Sequence, residues 1–307
     1  MSGPADAPRA AAAGVTPRLS VLLPTARAWP EIGEALAAAL AQDCAEPFEI
    51  LVLDGHGAGL AGEPSPPVRW LREPGADVFA LRALGLAEAR GEIVAISEDH
   101  CVLPPDWCRR ILAAHRASAA PALVGPVANH PGSARRAVDR ANFLLTMGPY
   151  AAPLDELPPG RLPIPTNLSL KRAALPAGRP PAGWLEYDLL AALRDRGQIG
   201  LAGDVTLAHL QSWRAGEALA VHFASGRAYG GSTRGWPRRE RLRWLLRWGL
   251  LPRRLFRLTR PALERGAGGR APTLADQAWL VGLILANAAG QLTGALAGAG
   301  ASRHRLV

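Results

Sequence analysis

Glu98-Asp99-His100 closes a short apolar run, Glu92-Ile93-Val94-Ala95-Ile96-Ser97, that Gly91 opens. Runs of this length bounded by glycine and charge read as buried strands of an α/β sheet. Open α/β sheets bind ligands beyond the carboxyl ends of their strands. Two carboxylates and an imidazole placed there can hold a divalent cation, and the cation can hold a phosphate. The same three residues would also serve as a polar strand exit with solvated charges. The surrounding elements decide between the two.

Those elements alternate. Arg18 to Leu23 reads as a first strand broken by Pro24-Thr25, and Ile32 to Leu40 has helical composition. Phe48 to Leu53 is a second strand closing on Asp54-Gly55, and Val68 to Leu71 a short third. Asp77 to Arg90 is a helix that leads to the strand before Glu98. Asp106 to Arg116 is another helix, followed by an apolar segment from Ala122 to Val127. Such alternation predicts an α/β fold with a mostly parallel sheet and helices on both faces. Asn129 to Pro165 is expected to be a loop-rich insertion, and Pro163 to Leu170 a strand. Trp184 to Arg196 reads as a helix with Leu185, Leu189 and Leu193 on one face, ended by Gly197. A strand near Ile199 to Leu207 gives way at His209, and a long helical stretch begins around Ser212.

The chain has 307 residues, 49% of them hydrophobic, enough for a large domain and an appendage. Cys44, Cys101 and Cys108 are too few and too irregular for a disulfide framework or a structural zinc site, so a reducing compartment fits. Residues 1–17 read as a disordered leader. The net charge of +9 is almost entirely arginine and concentrates between Arg238 and Arg260. There the arginines alternate with Trp236, Trp244, Trp248 and several leucines, which suits a helix at a membrane surface better than nucleic acid. Gln277 to Ser302 then carries no charged side chain, long enough to cross a bilayer or to pack as a helical hairpin.

Taken in order, these segments resemble family 2 glycosyltransferases with the GT-A fold, over about Leu19 to Tyr229. Leu19-Ser20-Val21-Leu22-Leu23-Pro24-Thr25 is similar to that family's opening strand, and Glu49 to Gly55 to its second strand. Arg82 to Glu92 resembles the helix before the metal-binding strand. Glu98-Asp99-His100 falls at the family's Asp-x-Asp motif, and Glu186, eleven residues before Gly197, at its catalytic acid. Pro126-Val127, Pro165-Thr166-Asn167-Leu168-Ser169, Gly226-Arg227 and the apolar tail resemble membrane-associated bacterial members. The chain departs from the pattern in Glu-Asp-His for Asp-x-Asp, in Ala83 where an Asn is usual, and in the plain loop Gly55-His56-Gly57-Ala58-Gly59.

The resemblance implies a GT-A catalytic domain over 18–230 and a membrane-associated helical region over 231–307. It implies an inverting glycosyltransferase that takes a nucleotide-diphosphate sugar as donor. The acceptor would be a lipid-linked or envelope glycan at the cytoplasmic face of a membrane. A divalent ion, Mn or Mg, would sit at Asp99, His100 and His209, with Glu98 acting through water or on the sugar. Pro24, Thr25 and Asp54 would contact the nucleotide, Arg82 the diphosphate, and Asn167 a sugar or acceptor hydroxyl. Glu186, opening a helix whose positive end favours its ionised form, would be the general base, with Asp188 the weaker candidate. Two other readings stand beside this: a degenerate GT-A-like membrane scaffold without turnover, and a nucleotidyltransferase, against which the lack of a glycine-rich phosphate loop counts.

Overall fold

Leu19-Ser20-Val21-Leu22-Leu23-Pro24-Thr25 has no exposed residue, the pattern of a strand covered on both faces. It forms β1 (Leu19–Thr25), and α1 (Gly33–Leu40), β2 (Phe48–Asp54), β3 (Val68–Arg72), α2 (Val78–Glu88) and β4 (Ile93–Ile96) follow as the alternation predicts. Next come β5 (Cys101–Val102), α3 (Trp107–Ala117), β6 (Ala122–Val124) and β7 (Val127–Asn129). The computed structural model describes residues 15–28, 31–57, 67–133, 135–158, 162–250, 252–253, 256–257, 260 and 271–305. Most of the expected leader, and Ala58 and Gly59 of the loop after Asp54, lie outside the described residues.

The chain divides into two compact units. The first holds the described residues up to Val127 together with Ala152–His209; the second holds Ala128–Ala151 and the chain from Leu210 onward.

The first unit is built on a seven-stranded sheet, in which β8 is Leu168–Lys171 and β9 is Ile199–Leu201, ordered β3-β2-β1-β4-β8-β6-β9. β1 pairs in parallel with β2 from Leu19↔Phe48 to Thr25↔Asp54, and with β4 from Leu19↔Ile93 to Leu22↔Ile96. β8 alone runs against its neighbours, matching Ile96 to Leu168 and Ile93 to Lys171. These registers bring Thr25, Asp54 and the residues after Ile96 to one edge of the sheet. They also bring the residues just before Leu168 there. α2 lies close on β1 and β2 because Gly85 has no side chain: a Cβ there would stand 2.6 Å from Leu53 and 2.8 Å from Leu22.

Several expected elements take a different form. The Ala122–Val127 segment is split by Gly125-Pro126 into β6 and β7. Pro163–Leu170 becomes a 3-10 turn at Pro165–Asn167 and then β8, since the two prolines interrupt the ladder. The helix at Trp184–Arg196 opens as a π-helical turn, Leu185–Leu189, before α5 (Leu190–Asp195), and Gly197 ends it at φ +65°. Ile199–Leu207 is two strands, β9 and β10 (Leu207–His209).

The insertion expected to be loop-rich contains α4 (Ala137–Thr146), with Val138, Ala141, Phe143 and Leu144 buried. Its helical spacing is masked in sequence by Arg136, Asp139 and Arg140. Asp139 is buried nonetheless, capping the Trp213 amide at 2.8 Å and pairing with Arg136 at 2.7 Å.

α4 belongs to the second unit, with α6 (Ala215–Ser232), α7 (Arg238–Arg247) and α8 (Leu274–Ala297). Most of the uncharged stretch, Gln277 to Ala297, thus lies in one 24-residue helix. α6 and α8 meet backbone to backbone through Gly226 and Gly230 on one and Gly290 and Gly294 on the other. A Cβ at Gly230 would lie 1.9 Å from the Gln291 carbonyl oxygen, and one at Gly290 2.0 Å from that of Phe223. Small residues four apart on both partners are what such close crossings require. Val138, Ala141, Ala218, Leu280, Leu283 and Ile284 form the apolar cluster beside them, and Arg140 reaches buried Asp276 at 2.6 Å.

Candidate functional site

The site lies at the carboxyl edge of the first unit's sheet. β4 ends at Ile96, and the turn that follows presents Glu98, Asp99 and His100 before β5 begins at Cys101. β10 runs antiparallel to β5 with His209 opposite Cys101, which brings a second imidazole beside His100 from more than a hundred residues away. The His100 and His209 Nε2 atoms stand 3.1 Å apart, with the rings edge-on at 84°. Glu98 Oε2 is 3.3 Å from His100 Nε2 and 3.8 Å from His209 Nε2. One ligand atom from each of Glu98, His100 and His209 falls within 4.8 Å of the others. One carboxylate oxygen and two imidazole nitrogens form a donor set that fits a divalent transition ion better than Mg.

The expected set was Asp99, His100 and His209; the ligand atoms that converge are those of Glu98, His100 and His209. Asp99 faces the other way. Its Oδ2 accepts from the Thr25 hydroxyl at 2.7 Å, its Oδ1 contacts His100 Nδ1 at 2.6 Å, and Arg27 Nε lies 3.8 Å off. A carboxylate on Nδ1 fixes the ring and directs Nε2 at the cluster.

The charges follow. Burial pushes the Glu98 carboxyl up, but the hydrogen bond and charge of His100, with Arg82 and His209, hold it down at about 2. Burial pushes His100 down, but its bonds to Asp99 and Glu98 raise it to about 9. His209 is driven down to about 3 by burial and then by the charge of His100. Two adjacent imidazoles are thereby pushed apart, one a donor and one an acceptor.

Arg82 projects from the buried side of α2. Its Nη2 lies 3.3 Å from Glu98 Oε1 and its Nη1 2.9 Å from Glu186 Oε1. One guanidinium therefore joins the metal-type cluster to the acid on the π-helical turn. Glu186 Oε2 is buried with no partner, and so is Arg82 Nε. Asp188, on the same turn, is exposed.

Asp54 is buried and already engaged: Oδ1 accepts from the Gly57 amide at 2.7 Å and Oδ2 from the Trp70 indole at 3.0 Å. Pro24 is buried within β1, in register with Leu53 of β2. Asn167 was expected to face a sugar, but its amide is committed inside the unit. Its Nδ2 donates to the Pro126 and Val205 carbonyls at 2.8 and 2.7 Å, and its Oδ1 accepts from Trp107 at 3.2 Å. It staples loops together.

Two residues of the site escaped sequence reasoning. Thr166 donates its hydroxyl to Glu98 Oε1 at 3.0 Å, and its signal was its place next to Asn167. Arg27, two residues past the β1 exit, carried no signal at all.

The sequence model of glycosyl transferase family 2 matches residues 20–175, half of the chain. No curated protein sequence matches it. Among solved structures, a mannosyltransferase from Pyrobaculum calidifontis in complex with GDP-Man and Mn2+ is 20% identical, with a TM-score of 0.51. That match covers 91% of this chain and 88% of that one. S. aureus TarS, residues 1–349, is 16% identical over 90% of each chain, with a TM-score of 0.42. Glucosyl-3-phosphoglycerate synthase from Mycobacterium tuberculosis, in complex with Mn2+, UDP and glucosyl-3-phosphoglycerate, is 15% identical. It covers 66% of this chain and 75% of that one, with a TM-score of 0.40.

Proposed function

We propose that this chain, which belongs to glycosyl transferase family 2, is an inverting enzyme acting on a nucleotide-diphosphate sugar and a lipid-linked or envelope-glycan hydroxyl. The observation that carries the reading is Arg82 joining Glu98 to Glu186, one cation between a cation-binding carboxylate and an acid with an unpartnered oxygen. Inverting transfer needs that pairing: charge relief for the departing diphosphate at one end, and a base for the acceptor hydroxyl at the other.

Glu98, His100 and His209 would hold a divalent ion, which when bound supplies charge stabilisation to the diphosphate oxygens. Asp99 orients His100, and Thr25 and Arg27 orient Asp99. Arg82 holds Glu186 in place through its Nη1 contact and would offer its remaining N–H toward phosphate. The free Oε2 of Glu186 accepts the acceptor's proton as the oxygen attacks the sugar.

The second unit supports action at a lipid surface. On α7, Leu242 and Leu246 are 58% and 77% exposed among arginines. A groove of about 540 Å³ there is lined by Arg243, Arg247, Arg253 and Arg257 with Trp244 and Trp248. α8 is long and apolar enough to cross a membrane, as core helices also can be, and less than half of its apolar window is buried. Anionic headgroups fit such a surface, and the cytoplasmic face is where donor nucleotides would be met.

A panel of nucleotide sugars incubated with the full chain, with and without Mn2+, tests the reading. Ion-dependent release of nucleoside diphosphate that Glu186→Gln abolishes supports it. Ion-dependent nucleotide binding without turnover on any donor, even with lipid-linked acceptors supplied, would favour the non-catalytic scaffold.

A further inference from the structure

The opposite edge of the same sheet carries a second cluster. β1 is seven residues long, so at about 3.3 Å per residue its two ends lie roughly 20 Å apart. At the amino end opens a cavity of about 540 Å³, lined by Arg18, Glu92, His115, Arg116, Lys171 and Arg172, with Ile93 and Leu112 as an apolar wall. That volume is in the usual range for a small-molecule site, roughly 300–1,000 Å³.

Four cations face a lining with one carboxylate. Arg18 is paired with Glu92 and lies 3.8 Å from Glu46, and Arg116 is paired with Glu46. Lys171 and Arg172 are different. Lys171 Nζ donates to the Ser118 carbonyl at 2.7 Å and Arg172 Nε to the Gly91 carbonyl at 2.8 Å. Among the described residues neither meets a carboxylate.

Two of the lining residues also carry a buried nitrogen without a partner. Arg172 Nη2 is one, and His115 Nδ1 is the other. His115 is 5% exposed and its Nε2 is held by the Ser169 hydroxyl at 2.8 Å, which fixes the ring. Buried polar atoms without partners are rare in folded proteins and call for an explanation. Uncompensated cations and an apolar wall around one cavity fit a ligand with an anionic head and a small organic body.

We propose that this cavity binds a small phosphorylated metabolite, its phosphomonoester dianion held by Lys171 and Arg172 and its body against Ile93 and Leu112. The site goes beyond glycosyl transfer and is separate from the donor end. A phosphate dianion matches the two uncompensated cations, and the arginine fork suits its geometry.

Isothermal titration of the full chain at constant ionic strength tests this with two probes, inorganic phosphate and glucose 6-phosphate. One saturable site is expected, with the sugar phosphate binding at least several-fold more tightly. Lys171→Gln should weaken it about tenfold or more, and Arg116→Gln, at an exposed position, several-fold. Glu98→Gln combined with His209→Gln should leave it unchanged. Three results would each overturn the proposal. The first is the absence of saturable binding, and the second equal affinity for both probes. The third is binding lost with the Glu98/His209 pair but kept in both cationic-site variants, which would put the anion at the donor end.

Discussion

The carboxylates of the Glu98-Asp99-His100 turn do different jobs although they are adjacent in sequence. Glu98 shares space with two imidazole Nε2 atoms, while Asp99 acts on His100 from behind. Glu98→Gln should therefore weaken Mn2+ binding more than Asp99→Asn, whose effect passes through the orientation of one ring and falls on the order of ten- to a hundredfold. Titration of Mn2+ by paramagnetic relaxation would rank the two, and the reverse order would restore Asp99 as the direct ligand. Glu186→Gln keeps the bond to Arg82 but loses proton affinity. Turnover should fall about a hundredfold or more with donor binding retained, measured by steady-state kinetics beside nucleotide titration. If turnover survives, Asp188 on the same turn is the next group to remove.

At the scale of elements, the α6–α8 crossing makes a sharp claim. A methyl group at Gly230 has no room 1.9 Å from a carbonyl oxygen, so Gly230→Ala must push the helices apart, at a cost of about 1–3 kcal/mol. Gly282, also on α8, has nothing within 4 Å of its would-be Cβ. Gly282→Ala should stabilise the helix by about 0.5–1 kcal/mol. Thermal melts of the two variants should thus move in opposite directions.

α3 makes a claim about pH. Burial, then the charge of Lys171, holds His115 at about 4, below its ordinary 6.5. Between those values the unfolded chain takes a proton that the folded chain refuses. Stability conferred by the neutral ring is thus present above pH 6.5 and is lost as pH falls toward 4, by at most about 1.4 kcal/mol per pH unit. Denaturant midpoints of His115→Gln should show a shallower acid slope than the parent. A parallel slope would mean that His115 is already protonated in the folded state.

The whole molecule joins a site-bearing α/β unit to a helical unit with an arginine- and tryptophan-rich surface. If that surface meets lipid, full-length protein should float with vesicles containing anionic lipid and not with neutral ones. Replacing Arg243 and Arg247 by Gln should reduce the bound fraction several-fold, since each basic residue near an anionic surface is worth about 1 kcal/mol. Salt would release a peripheral helix, whereas detergent alone would release an inserted one. Protein that stays off anionic vesicles at low salt would remove the membrane from the proposal.

Local pattern was enough for the first strands of the sheet. β1, β2 and β4 were legible because strands buried on both faces are short continuous apolar runs, and the turn after β4 was legible because charge ends such a run abruptly. α4 was not, since its buried Asp139 and Asn142 look like surface residues until their partners Trp213, Gln211 and His222 are in place. The cluster at the site divides the same way. Sequence placed His100 and Glu98 together because they are neighbours in the chain, and the family resemblance pointed to His209 and Glu186. Only tertiary structure decided which carboxylate faces the imidazoles, that Arg82 joins two acids, and that the amide of Asn167 is spent on loop carbonyls. Each of these depends on the direction of a side chain across pairings such as β5–β10, and direction between distant segments is set by packing, which no single stretch of sequence contains.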